Sequence, residues 1–346
     1  MSGKHTIRLL GGDKQVLTSP RMGIAKAMNL KLMSAFLLLA CVCSAVPASA
    51  QSYPDRPVSI ILPVAAGVGA DVIVRALADR LSHRWKQQVV IVNRPGGRGM
   101  IAAQAAASAQ PDGYTLYVGL SSAFIVWPES KTKAPVDLAT DLATIGLISE
   151  QPMVIAVSKS LGAKTLAEFI EVVKRRPGDI LYGATFLSVP HLTGELLNRR
   201  AGIKMRHIPT KGAAQARQDM MSGVLHVVMD SVPGIAGALR AGTVNGLAFS
   251  SDKRLANFPD LPLASDTLPD FNVKGWFVLM APPKTPQAIV SRIGNDLRAT
   301  LNEPALRKLY ESTGTFALPT TAEEALAYIK AEQDLWRPIV REIGVN

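Results

Sequence analysis

The sequence predicts an α/β protein of two domains, joined by two strands in the manner of a hinged clamp. Three observations carry this. From Val58 to Asp230, short apolar runs alternate with small or polar turns and then with helical segments, which is the signature of parallel βα units. Without its first fifty residues the chain keeps 296 residues, enough for two cores rather than one. Beyond Lys274 a single strand over 275–280 is followed only by helices, over 285–302, 305–313 and 321–341, so the chain is expected to return to the first domain. The expected domains are 51–151 with 276–346, and 152–275.

The first unit sets the pattern. VSIILPV, from Val58, reads as a buried strand that enters the turn Ala65, Ala66, Gly67, Val68 and Gly69 before a helix opened near Asp71. Such a turn leaves unpaired N–H groups at a helix N-terminus, where the dipole favours anions and glycine permits close approach. Gly67 and Gly69 also match half of a dinucleotide fingerprint, but Val72 stands where its third glycine belongs. A strand over 89–93, the turn Arg94-Pro95-Gly96-Gly97-Arg98-Gly99, an alanine-rich helix and a strand over 115–119 follow. That last strand delivers Ser121 and Ser122 to the same sheet edge as the Gly67 turn. The segment 127–151 carries no clear pattern. A second series then begins at Met153, with Thr165 and Glu168 spaced as a capping box. Its strands over 180–183, 206–209 and 225–229 deliver Thr185, Phe186, Leu187 and Ser188, then Thr210 and Lys211, and then Asp230 to an opposing wall.

The N-terminus reads as a secretory signal peptide over 1–50, with a basic segment at 28–31, an apolar segment over 33–46 and the cleavage site Ala48-Ser49-Ala50. Residues before Met28 read as an over-extended start. Lipidation at Cys41 is the lesser reading, because Leu39 makes a poor lipobox. Cleavage after Ala50 removes Cys41 and Cys43, the two cysteines of the chain, which excludes disulfides, thiol chemistry and cysteine metal sites. The leader carries six basic residues against one acidic, so of the net charge of +11 about +6 remains, scattered rather than clustered. Nucleic-acid binding has little support in that distribution, whereas a mild positive field suits an anionic solute.

The ordered set Tyr53-Pro54-Asp55-Arg56-Pro57, Pro63 with Gly67 and Asp71, Val92-Asn93-Arg94-Pro95-Gly96-Gly97, Pro111-Asp112-Gly113-Tyr114-Thr115-Leu116, His191-Leu192-Thr193-Gly194-Glu195-Leu196 and Lys211-Gly212 resembles the Bug family, the periplasmic solute-binding proteins of tripartite tricarboxylate transporters. The resemblance runs through the whole chain after its leader. It implies a two-domain periplasmic-binding-protein fold, the type II Venus flytrap with two hinge crossings, that captures a small carboxylate and hands it to membrane transporter subunits. A monomer without cofactor or metal is expected. Carried over by position, the ligand would meet Ala65, Ala66, Gly67, Val68, Gly69, Ser121 and Ser122 on one wall and Thr185, Phe186, Ser188, Lys211 and Asp230 on the other, with His191 behind them. The chain departs from the family at Val64-Ala65-Ala66, at Thr210 and at the Thr185–Ser188 loop, where Phe186 replaces smaller residues. These departures suggest a larger or more apolar carboxylate.

Plainer readings accompany each residue. Lys211 is a ligand partner or a solvated rim charge; Asp230 binds a ligand amine or caps the segment from Val232. Asp71 suits a helix-opening acid, and His191 an interior histidine. Gly119-Leu120-Ser121-Ser122-Ala123 loosely resembles a nucleophile elbow, but its closing glycine is absent and no acid is placed to orient a histidine. His83, His191, His207 and His226 show no metal-ligand spacing. A ligand-loaded sensor for a membrane signalling partner would use the same cleft as a transport receptor.

Overall fold

The computed structural model describes residues 53–131 and 134–344; the expected signal peptide, its cleavage site and Cys41 lie outside these residues. Ten strands form one mixed, continuous sheet in the order β2-β1-β3-β9-β4-β7-β5-β6, with β10 and β8 also paired to β4. Strands β1 (Val58–Leu62), β2 (Val89–Asn93) and β3 (Thr115–Leu120) are parallel, as a βαβ series requires. Strand β9 (Lys274–Ala281) lies antiparallel between β3 and β4.

Strand β4 (Ala143–Ser158) organises the rest. Residues 143–152 pair with β9, and residues 153–158 pair with β7 (Val227–Ser231) on one edge and β8 (Val244–Phe249) on the other. Parallel strands β5 (Leu181–Ala184) and β6 (Arg206–Pro209) continue outward from β7. The two-residue β10 (Phe316–Ala317) joins β4 at Ser149 and Glu150. The patternless stretch over 127–151 therefore contains most of the longest strand in the sheet. Its local sequence hides this, because Gly146, Ser149, Glu150 and Gln151 interrupt the apolar run while fourteen of the sixteen residues, 144–157, lie inside. Glu150 and Gln151 are satisfied from far along the chain: Tyr328 Oη donates to Glu150 Oε1 at 2.9 Å, Lys274 Nζ pairs with it at 3.0 Å, and Gln151 Nε2 donates to Thr315 Oγ1 at 3.4 Å, whereas the buried Ser149 hydroxyl makes no hydrogen bond.

Helix α1 (Gly69–Trp85) packs with α8 (Gln287–Leu301) and α9 (Pro304–Ser312) over one face of β1, β3 and β9, burying Ile73, Leu77, Leu81, Ile293 and Leu297. The short helices α2 (Met100–Ala107) and α3 (Ser121–Val126) cover the other face. In the second half, α4 (Leu166–Arg175) and α5 (Val189–Ala201) lie on one side of the sheet, and α6 (Ala213–Met221) and α7 (Val232–Arg240) on the other. Each fully buried aliphatic or aromatic side chain here contributes about 1.5–3 kcal/mol of transfer free energy.

Local chemistry sets the helix ends. Thr165 Oγ1 accepts from Glu168 N, and the expected capping box is half formed, since Glu168 returns its carboxylate to Lys164 N rather than to Thr165. At α10 (Ala322–Ile343) the box is complete, with Thr321 and Glu324 bonding reciprocally at 2.8 and 3.2 Å. That helix begins against the first half through Ala325 and Ile329 and ends in the second-half core through Trp336, Ile339 and Val340. The Trp276 and Trp336 indoles both donate to Glu332 Oε2, so the buried aromatics leave no N–H unpaired.

Candidate functional site

A cleft of about 170 Å³ opens where the C-terminal ends of β1, β2 and β3 face that of β5. One side presents Pro63, Arg98, Gly99, Tyr117, Leu120 and Ser122 together with Ala123, Val126 and Trp127; the other presents Thr185, Phe186, Leu187 and Ser188. Four residues singled out in the sequence, Ser122, Thr185, Phe186 and Ser188, line this space. Asp230 lines an adjacent pocket beneath the second wall, which shares Thr185 and Ser188 with the cleft. Lys211 is exposed and outside both, its N–H accepted by Gln215 Oε1 at 3.0 Å.

The turn at 65–69 also lies outside the cleft lining. Gly67, at φ +82°, donates its N–H to Asp71 Oδ2 at 2.8 Å, so that donor is already used by the helix's own carboxylate. Asp71 is buried and also accepts from Arg75 Nε at 2.8 Å and Asn93 Nδ2 at 2.9 Å. Burial pushes its carboxyl up, but the bonds from Arg75, Gly67 and Asn93 together outweigh it and the net displacement is downward. The neighbouring Gly69 closes on the second half: a Cβ there would lie 3.4 Å from Ser231 Oγ.

The second wall rests on a stack of rings. His191 Nδ1 accepts from Leu187 N–H at 3.0 Å, and its ring centroid lies 3.9 Å from that of His207 and 5.2 Å from Phe186. Burial first, and then the neighbouring His207, lower the His191 pKa to about 3, so the ring is neutral and Nδ1 is free to accept. His207 Nε2 bonds Ala184 O at 2.9 Å, and Tyr182 Oη donates to Glu195. His191 is thus an interior residue that holds the loop carrying Phe186.

Asp230 is held by partners within the protein. Its carboxylate is ion-paired with Arg217 Nη1 and accepts from Ser231 N–H at 2.8 Å, rather than capping from Val232. Burial pushes this carboxyl up, against the pull of Arg217. Arg217 went unnoticed in the sequence because its importance depends on a partner 13 residues away across a βα unit.

Arg98 was also overlooked as a site residue. The segment Gly96–Gly99 is a run of four positive φ angles, and Arg98 holds φ 50° and ψ 38°. For a residue with a Cβ that conformation costs about 1–2 kcal/mol. The Arg98 guanidinium sits 5.1 Å from the Trp127 ring centroid, and the indole N–H of Trp127 donates to Arg98 O at 3.4 Å.

A helix begins at Ser121, as a nucleophile elbow would require, yet no esterase geometry results. His191 and His207 are engaged as described, and His226 Nδ1 accepts from Leu181 N at 3.0 Å, so each of the three bonds a backbone group rather than Ser121 or Ser122. Among the described residues, no cluster of His, Asp and Glu is placed to hold a metal ion, and no helix is long and apolar enough to cross a membrane.

Comparison with known proteins gives one answer. BugT of Bordetella pertussis is 31% identical over 305 residues, covering 87% of this chain and 94% of BugT. The solved structure of R. palustris Rpa4515 with adipate superposes with a TM-score of 0.77 at 29% identity, covering 84% of this chain and 97% of that one. MatC from Rhodopseudomonas palustris with bound malate gives a TM-score of 0.72 at 27% identity, covering 83% and 100%. These are solute-binding proteins rather than enzymes, and the present mixed α/β fold is theirs. The tripartite tricarboxylate transporter family receptor, TctC, is matched over residues 73–345, and the chain belongs to that family.

Proposed function

We propose that this protein is an extracytoplasmic receptor that captures a small carboxylate and delivers it to the membrane subunits of a tripartite tricarboxylate-type transporter. The observation that carries the reading is the cleft between the two halves of the sheet, lined by one cation and by no carboxylate. The family and the adipate and malate carried by two structural neighbours support it. The halves, 51–151 with 276–346 and 152–275, act as domains that close on the solute by flexing β4 and β9. A solute bridging both walls favours the closed state only by its differential affinity for it. The protein works in the periplasm as a monomer, after cleavage behind Ala50. The wall residues of the first turn, Ala65 to Gly69, join the site on closure, as do Ser121 and Lys211, while Asp230 supports the second wall through Arg217.

The test is a thermal-shift screen of the purified protein against organic acids and amino acids. A solute bound only by the folded state, at about 100 times its Kd, adds about 2.7 kcal/mol and raises Tm by a few degrees. A saturable carboxylate hit, with loss of its uptake on gene deletion, fits transport. Intact uptake with a lost gene response shifts the role to sensing, and silence across all acids rejects carboxylate capture.

A further inference from the structure

Two polar side chains in the cleft have no hydrogen-bond or ion-pair partner among the described residues. The Tyr117 hydroxyl is fully buried and makes no hydrogen bond, although the phenol lines the cleft. Burial raises its pKa, so it is a donor waiting for an acceptor. Glycine at 99 keeps the approach open: its φ is +91°, and a Cβ there would lie 3.8 Å from Tyr117 Oη and 3.6 Å from Pro63. The second group is Arg98, which among the described residues faces no carboxylate and is the sole charged side chain in the lining. Its left-handed backbone is unfavourable for arginine, and glycines occupy the positions on either side in the same conformation. The strained position is filled by the one residue type that can stack on Trp127 and present a fork of donors to a carboxylate.

We propose that Arg98, held over Trp127, binds the solute carboxylate, that the Tyr117 hydroxyl donates to a second oxygen of the solute, and that the solute is an organic acid without an amino group. The last point follows from charge. An amino acid would bring an ammonium into a lining that offers it no anion, and a buried unpaired charge is costly. Asp230, the nearest buried acid of the second wall, lies in the adjacent pocket and is committed to Arg217. This assignment rests on the proposed capture of carboxylates and names which carboxylates.

Calorimetric titration of the purified protein with matched pairs tests it: succinate with aspartate, glutarate with glutamate, and adipate with 2-aminoadipate. At least one diacid should bind saturably, and its amino counterpart about tenfold or more weakly. Arg98→Gln should weaken that diacid about tenfold or more, the scale of one charge-assisted hydrogen-bonded pair. Tyr117→Phe should weaken it several-fold while raising the Tm of the solute-free protein, because an unsatisfied buried hydroxyl is removed. Equal binding of the amino acids, or unchanged affinity in a cooperatively melting Arg98→Gln, overturns this assignment and leaves carboxylate capture standing. Binding of no carboxylate at all rejects both.

Discussion

The β1–α1 and β5–α5 turns are built on one backbone plan and differ in charge. Each places a residue at positive φ, Gly67 at 82° and Leu187 at 59°, followed by an extended helix cap, Val68 at φ −79°, ψ 163° and Ser188 at φ −79°, ψ 165°. In each, the third helical residue reaches back to the N–H of the positive-φ residue, Asp71 to Gly67 at 2.8 Å and His191 to Leu187 at 3.0 Å. The first turn thereby carries a carboxylate at the helix N-terminus, balanced by Arg75; the second carries a neutral imidazole. An incoming anion meets an occupying charge at one turn and an unopposed helix dipole at the other. The same backbone can therefore serve as a buttress or as a binding wall, according to one side chain.

The largest effect should come from removing the charged version. Asp71→Ala leaves the Gly67 N–H, the Asn93 amide and Arg75 without their acceptor and should cost about 2–3 kcal/mol in urea unfolding. A loss near zero would reduce the network to a surface pair.

The neutral version separates from it by pH. Because the folded pKa of His191 is lowered to about 3, the unfolded chain binds the extra proton between the ordinary histidine value of about 6.5 and pH 3, and stability falls as pH falls through that window. The loss by pH 5 is about 2 kcal/mol, and His207 and His226, also lowered chiefly by burial, act in the same direction. Asp71, with its lowered carboxyl, holds its contribution down to about pH 4 and loses it only below. Unfolding at pH 7.5 and pH 5 should show the acid slope flattened in His191→Gln and kept in Asp71→Ala; an unaltered slope in His191→Gln would transfer the effect to the other two histidines.

The smallest effect tests how far the plan extends. The β6–α6 turn keeps only the hydrogen bond of that plan, without the positive-φ residue: Gln215, the third residue of its helix, accepts from Lys211 N–H four residues earlier. One exposed neutral hydrogen bond is worth about 0.5–1 kcal/mol, so Gln215→Ala should fall in that range by the same measurement. At the β7–α7 turn the third helical residue is Gly234, where a Cβ would lie 2.7 Å from both Asp230 carboxylate oxygens, and the Asp230–Arg217 pair fills the space instead.

What the sequence makes legible is what local pattern can encode. Strands of continuous Val, Ile and Leu, the helices after 285 and the cap at Thr165 can be read within a few residues. The first ten residues of β4 and all of β8, VNGLAF, are not legible, since glycine and polar residues interrupt both runs and strand pairing across the fold fixes them. In the cleft, the loop Thr185–Ser188 stands out as a polar turn after a strand. Arg98 does not, because its meaning depends on a backbone angle and on Trp127, and Tyr117 reads as an ordinary strand aromatic. Whether a turn donor is free or already taken, as at Gly67, depends on a side-chain rotamer.

The terminal helix α10 has a calorimetric consequence. Its 22 residues contribute Ala325 and Ile329 to one core and Trp336, Ile339 and Val340 to the other, and Arg337 and Arg341 clasp Glu129 at 2.8 and 2.6 Å. Neither half can melt without exposing aromatic and aliphatic surface that the other half owns. The whole assembly should give a single endotherm, so a solute touching either wall registers its full binding energy in one transition temperature.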